Sequence, residues 1–144
     1  MELKDILLVE DNPNDVELTL TALEQINLAN RVDVVNDGVE AMEYLKCEGK
    51  FKNRKPVLPV VVLLDNKMPR MDGIEVLEHI KKDTALKKIP VVMLTSSKED
   101  RDLFQTYSLG VNAYVVKPVD FDQFVYAVKQ LGIFWALINE LPPI

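Results

Sequence analysis

Short apolar runs recur along the chain, each cut off by polar residues and each leading into helical spacing. Ile6-Leu7-Leu8-Val9 shows no polar alternation, the pattern of a strand buried on both faces. It stops at Glu10-Asp11. Asn12 can cap a helix with Pro13 at its first position and Asp15 in its first turn, and Val16, Leu20, Leu23 and Ile26 follow at helical intervals. Arg31 to Val35 is β-branched and alternating, and Asp37-Gly38 separates it from a shorter helix marked by Ala41, Met42 and Leu45. Lys50 to Pro59 is polar, basic and bracketed by Pro56 and Pro59, which predicts a loop.

Val60 to Leu64 is the strongest buried-strand signal and ends at Asp65. Pro69 and Gly73 punctuate the next loop, and Ile74, Leu77 and Ile80 carry a helix. Val91 to Leu94 is a strand ending at Thr95. Glu99 to Leu109 predicts a helix closed by Gly110, and Ala113 to Val116 a strand ending at Lys117-Pro118. Asp120 can cap a last helix, whose spacing runs through Val125, Val128, Leu131, Phe134, Trp135 and Ile138, from Phe121 to about Glu140. Five strands alternating with five helices predict an α/β, doubly wound parallel sheet with helices on both faces, because parallel neighbours need crossover connections. The last helix is expected to extend beyond what such a sheet requires.

At 144 residues the chain has the size of one domain, and 48% apolar against 28% charged residues excludes a disordered chain. A formal net charge of −6 argues against binding nucleic acid or anionic membranes over the whole surface. The lone Cys47 cannot form an internal disulfide, and the acidic start Met1-Glu2-Leu3-Lys4-Asp5 lacks a secretory leader, so a reducing cytoplasm is expected. No apolar run approaches the roughly 20 residues needed to span a bilayer.

Ligands of open parallel sheets bind outside the carboxyl ends of the strands. There the first strand offers Glu10 and Asp11, the third Asp65, the fourth Thr95 and the fifth Lys117; the second ends in the unremarkable Asn36-Asp37. An Asp after a strand is usually a turn former, but five such groups on one rim point to a joint site. Carboxylates there repel by about 4 kcal/mol per pair at 4 Å and an effective dielectric near 20. Either a cation such as Mg²⁺ offsets this, or one carboxyl is held protonated. A lysine and a threonine able to bind phosphoryl oxygens complete a site suited to in-line phosphoryl transfer.

The stretches Val9-Glu10-Asp11-Asn12, Leu64-Asp65-Asn66-Lys67-Met68-Pro69-Arg70-Met71-Asp72-Gly73, Leu94-Thr95-Ser96 and Lys117-Pro118 together resemble the receiver domains of two-component response regulators, over about Asp5 to Leu131. The resemblance implies a flavodoxin-like (βα)5 fold with strand order 2-1-3-4-5. It implies one receiver domain over residues 1–144, with a core of about 4–131 and a C-terminal extension at 132–144. It further implies that Asp65 accepts a phosphoryl group from a sensor histidine kinase. Mg²⁺ would be held by Glu10, Asp11, Asp65 and the backbone carbonyl of Lys67, while Thr95 and Lys117 bind the phosphoryl oxygens. Tyr114 would change rotamer with the state of Thr95, and Lys117-Pro118 would be cis, as only about 5–6% of X-Pro bonds are.

Lys67 departs from the small residue that many receivers carry two positions after the acceptor. Its ammonium either weakens metal binding or alters attack of water on the acyl phosphate, or else it points into solvent. The lengthened basic segment Lys46 to Lys55 and the tail Gly132-Ile133-Phe134-Trp135 with Leu141-Pro142-Pro143 resemble single-domain regulators that partner phytochrome-type sensor kinases. On physics alone the basic segment is most simply a solvated loop. Phe134 and Trp135 either fold onto their own sheet or, as favoured here together with Ile138, form a dimer or partner surface.

His79, with no second ligand at metal spacing, is expected to be a surface or half-buried helix residue; Cys47 reads as a small apolar residue, and Met68, Met71 and Met93 as packing. Gly38, Gly73 and Gly110 form no phosphate loop. A haloacid-dehalogenase-type phosphatase would need a second Asp where Lys67 stands. A receiver that binds partners without phosphorylation is the remaining alternative, but none of the five rim residues is lost. The expectation is a signalling phosphoacceptor, catalysing only its own phosphotransfer and autodephosphorylation, with output through protein contact.

Overall fold

A computed structural model describes residues 5–96, 113–134 and 137. Five parallel strands, β1 (Ile6–Val9), β2 (Val32–Val35), β3 (Val61–Asp65), β4 (Val91–Thr95) and β5 (Ala113–Val116), pair in the order β2-β1-β3-β4-β5. The four described helices are α1 (Pro13–Glu24), α2 (Gly38–Lys46), α3 (Gly73–Lys82) and α4 (Phe121–Gln130). The helix predicted over Glu99 to Leu109 lies outside the described residues. Among the described residues no helix is long and apolar enough to cross a membrane.

The unalternating strands have a simple cause. Successive side chains point to opposite faces, and both faces are covered. Leu8, Leu63, Leu94 and Val115 pack with Leu23 of α1 and Phe124 and Val128 of α4 in one layer. Leu7, Val9, Val62, Leu64 and Met93 pack with Leu45 of α2 and Val76, Leu77 and Ile80 of α3 in the other. Each helix starts on a side-chain cap that accepts from a backbone amide of its first turn: Asn12 from Asn14 N–H (2.8 Å), Asp37 from Glu40 N–H (2.9 Å), Asp72 from Glu75 N–H (3.0 Å) and Asp120 from Gln123 N–H (2.8 Å). Met93 is buried, Met68 and Met71 pack against the second layer, and His79 is exposed, as expected.

Three expectations need correction. The last helix does not run continuously to Glu140. Gly132 takes φ +74°, its amide donates to Lys129 C=O (3.0 Å) and the Ile133 amide to Val128 C=O (3.1 Å), a glycine cap that closes α4 at Gln130. Beyond this cap Leu137 is fully buried, and its carbonyl accepts from Arg31 Nη1 at 3.2 Å. Arg31 itself is not a strand residue. It closes a 3-10 turn, Ala29–Arg31, and its guanidinium pairs with Asp5.

Nor is the basic segment solvated throughout. After a short turn at Gly49–Phe51, Arg54 stacks 4.0 Å from the Tyr44 ring and donates to the Tyr44 carbonyl from Nε (3.0 Å) and Nη2 (2.7 Å). Lys50 pairs with Glu40, and Phe51 meets Tyr44 edge-on. The segment is thus strapped to α2, with Lys46, Lys52 and Lys55 left exposed. Cys47, half-buried, ends α2 in the left-handed region at φ 56°.

Candidate functional site

Strand register brings the rim residues together. Val9 lies opposite Leu64, Asp65 opposite Leu94, and Thr95 opposite Val116, so the residues just beyond these strands converge on one corner of the sheet. Carboxylate oxygens of Glu10, Asp11 and Asp65 lie within 4.8 Å of one another. Glu10 and Asp65 are buried, whereas Asp11 is exposed and faces an open cleft of about 190 Å³ that Lys67, Ser96 and Lys117 also line.

Lys117 reaches across the cleft from the end of β5. Its Nζ donates to Asp15 Oδ2 (3.0 Å), Asp65 Oδ1 (3.1 Å) and Glu10 Oε1 (3.3 Å). Burial alone would lower its pKa, but the bonds to Asp15 and Asp65 and the charges of Asp65 and Glu10 outweigh that and hold the ammonium protonated. The Lys117–Pro118 bond is cis.

Burial first, then the hydrogen bond and charge of Asp65, push the Glu10 carboxyl up to about 7, only partly offset by the Asn12 amide and Lys117. One ammonium therefore does not neutralise this cluster. An all-oxygen donor set with surplus negative charge fits a hard divalent cation such as Mg²⁺. Because Glu10 must lose its proton to become a ligand, Mg²⁺ affinity is expected to fall by about tenfold per pH unit below pH 7. Calorimetric titration between pH 5.5 and 8 tests this, and a flat profile would refute it.

Thr95 is buried at the end of β4, its carbonyl accepting from the Lys117 amide at 2.7 Å; it is Ser96 that lines the cleft. Tyr114 is half-buried against the second core layer. Lys67 is exposed beside the site. Phe134 packs half-buried against the first core layer under the Lys129 ammonium, in the manner of a tail folded onto its own sheet; Trp135 and Ile138 lie outside the described residues.

Two contributions have no clear mark in the sequence. Along the chain Asp15 is an acidic residue in a first helical turn, and only the tertiary structure, which sets the start of α1 beside Lys117, reveals their bond. Asp37 is no mere turn former either: Arg70, in the left-handed region at φ 67°, grips its Oδ2 from Nε (2.8 Å) and Nη2 (2.7 Å), tying the loop after Asp65 to the start of α2. Burial raises the Asp37 pKa, but the Glu40 amide and the Arg70 guanidinium outweigh it and hold the carboxyl below its ordinary range.

A five-stranded parallel sheet carrying an acidic cluster and a lysine at its carboxyl rim defines a receiver-type domain. The family model "Response regulator receiver domain" matches residues 6–129, and the chain belongs to that family, whose members are signalling phosphoacceptors. Among its relatives, the response regulator Rcp1 of Synechocystis sp. is 36% identical over 139 residues, covering 96% of this chain and 93% of Rcp1. A Mn²⁺-bound structure of Rcp1 aligns with a TM-score of 0.74 at 35% identity, over 96% of this chain and 97% of that one. The bacteriophytochrome response regulator AtBRR gives a TM-score of 0.87 at 59% identity, over 97% of this chain and all of that one. The phosphorylated cyanobacterial phytochrome response regulator RcpA gives 0.76 at 41%, over 99% of this chain and all of that one.

Proposed function

We propose that the protein is a stand-alone cytoplasmic response regulator that accepts a phosphoryl group on Asp65 from a sensor histidine kinase of the phytochrome type. The observation that carries this reading is the placement of Asp65: buried at the end of β3, bonded to Lys117 Nζ at 3.1 Å and clustered with Glu10 and Asp11. Its likeness to a phosphorylated phytochrome regulator and to a Mn²⁺-bound one supports it.

Asp65 attacks the phosphorus of a phosphohistidine; an O–P bond forms, the P–N bond breaks and the imidazole leaves. Lys117 holds the transferred phosphoryl oxygens by charge, and the Thr95 hydroxyl moves to donate to another. Glu10, Asp11, Asp65 and the Lys67 carbonyl would hold Mg²⁺, which when bound supplies the positive charge that the carboxylates and the incoming phosphoryl group need. Movement of Thr95, with Tyr114 turning inward beside Pro118, then shifts a two-state equilibrium of the β4–β5 face and changes its protein contacts. Self-association through the C-terminal region is part of this proposal, with the side of Phe134 left open by its packing on the core joining Trp135 and Ile138.

Incubation with acetyl phosphate and Mg²⁺ is expected to add one phosphoryl group by intact-mass analysis, and chelation of the metal to prevent it. A wild-type chain that stays unmodified with metal present would instead make this a receiver that binds partners without phosphorylation.

A further inference from the structure

We infer that Asp15 is a positioning residue for phosphoryl transfer, serving as the carboxylate that keeps the Lys117 ammonium in the site when the metal engages the other two. The inference rests on the function proposed above.

An ammonium has three protons to donate. Here the three bonds go to Asp15, Asp65 and Glu10, and the one to Asp15 is the shortest, at 3.0 Å. Glu10 and Asp65 belong to the acidic cluster suited to a divalent cation; Asp15 does not. A cation bound to Glu10 and Asp65 competes for their lone pairs and repels the ammonium, so two of its three anchors weaken when the site is loaded. Asp15 is then the remaining anion that holds the flexible lysine stem over Asp65. It is well placed for this. The Asp15 amide donates to the Asn12 cap at 3.2 Å, which fixes the first turn of α1, and its side chain is only 24% exposed. The same residue also marks the lysine's path: freed from Asp65 as the phosphoryl group arrives, Nζ can turn toward it while still tethered.

Asp15→Ala is expected to slow uptake from acetyl phosphate at saturating Mg²⁺ by about tenfold, the scale of one charge-assisted hydrogen bond. The Mg²⁺ concentration for half-maximal uptake should change little, and Asp15→Glu should restore most of the rate. Asp15→Asn, closest in shape, should show the same loss in milder form and guards against a folding defect. Independently of activity, the Lys117 ammonium should give a slowly exchanging ¹H–¹⁵N signal in the Mg²⁺-loaded wild type that Asp15→Ala loses. A wild-type rate at saturating Mg²⁺, a loss cured by more Mg²⁺, or an ammonium signal unchanged in Asp15→Ala would overturn the inference. A wild-type protein that takes up no phosphoryl group would sink the proposed function instead, and the ammonium signal would still decide the role of Asp15.

Discussion

Asp65→Asn is expected to abolish phosphoryl uptake while leaving the fold intact. The amide keeps the shape of the carboxylate but has no anionic oxygen to attack phosphorus, and it is a far poorer ligand for a hard cation. Intact-mass analysis after treatment with acetyl phosphate and Mg²⁺ should therefore show no added phosphoryl group, and modification of the variant to the wild-type extent would place the acceptor elsewhere. The same change should alter how stability depends on pH. Glu10, pushed up to about 7, binds its proton more tightly in the folded chain than in the unfolded one, where its value lies near 4.5. The folded state is thus favoured at low pH. Metal-free stability should therefore fall as pH rises from about 4.5 to 7, and then level off. Burial of Glu10 persists in Asp65→Asn, but the neighbouring charge is gone. The pH range over which stability falls should narrow, so urea denaturation at pH 5 and pH 8 should show a smaller loss in the variant than in the wild type; equal losses in the two proteins would mean that Asp65 does not couple to Glu10.

Gly73→Ala is expected to destabilise the fold strongly. Gly73 opens α3 against the end of β3, where an added Cβ would lie 2.3 Å from the Asp65 carbonyl oxygen and 3.0 Å from the Asn66 Cα. Both obstacles are backbone, so no side chain can swing aside. The helix start must move away from the strand, breaking the Gly73 amide's bond to Asn66 C=O at 3.0 Å and dragging the Asp65 peptide with it. Overpacking of this kind costs about 2–3 kcal/mol, which for a chain of this size lowers the melting temperature by about 6–12 °C. Mg²⁺ affinity should fall as well, because Lys67 lies between Asp65 and Gly73. Calorimetric melting and Mg²⁺ titration check the two parts, and a variant that melts with the wild type would show that the loop yields more easily than its backbone contacts imply.

Much of the fold is legible along the chain because burial on both faces leaves an unmistakable mark. Leu7 and Leu8 face opposite layers yet are both apolar, so the run signals a central parallel strand without any partner being known. Capping residues are equally readable: Asn12 and Asp120 stand where their caps form, since the chemistry is local. Gly132 carries such a local signal too, but apolar spacing beyond it suggests one continuous helix. The cap nonetheless ends that helix, and beyond it Leu137 is buried against the same core. Arg54 and the basic segment mislead for the opposite reason. A charged stretch reads as solvated unless its partner is visible, and the Tyr44 ring and carbonyl lie ten residues away.

By itself, then, the sequence determined the element order, the two-faced burial of the strands and the acidic, hydroxyl and basic residues at their ends, because all of these follow from local spacing and from the direction in which a parallel strand runs. Only the tertiary structure decided that the second strand's Asp37 would clamp Arg70 and that Asp15 would share Lys117 with Asp65 and Glu10. Those contacts join residues 33 and 102 positions apart. They depend on helix packing and strand register, which no local pattern encodes.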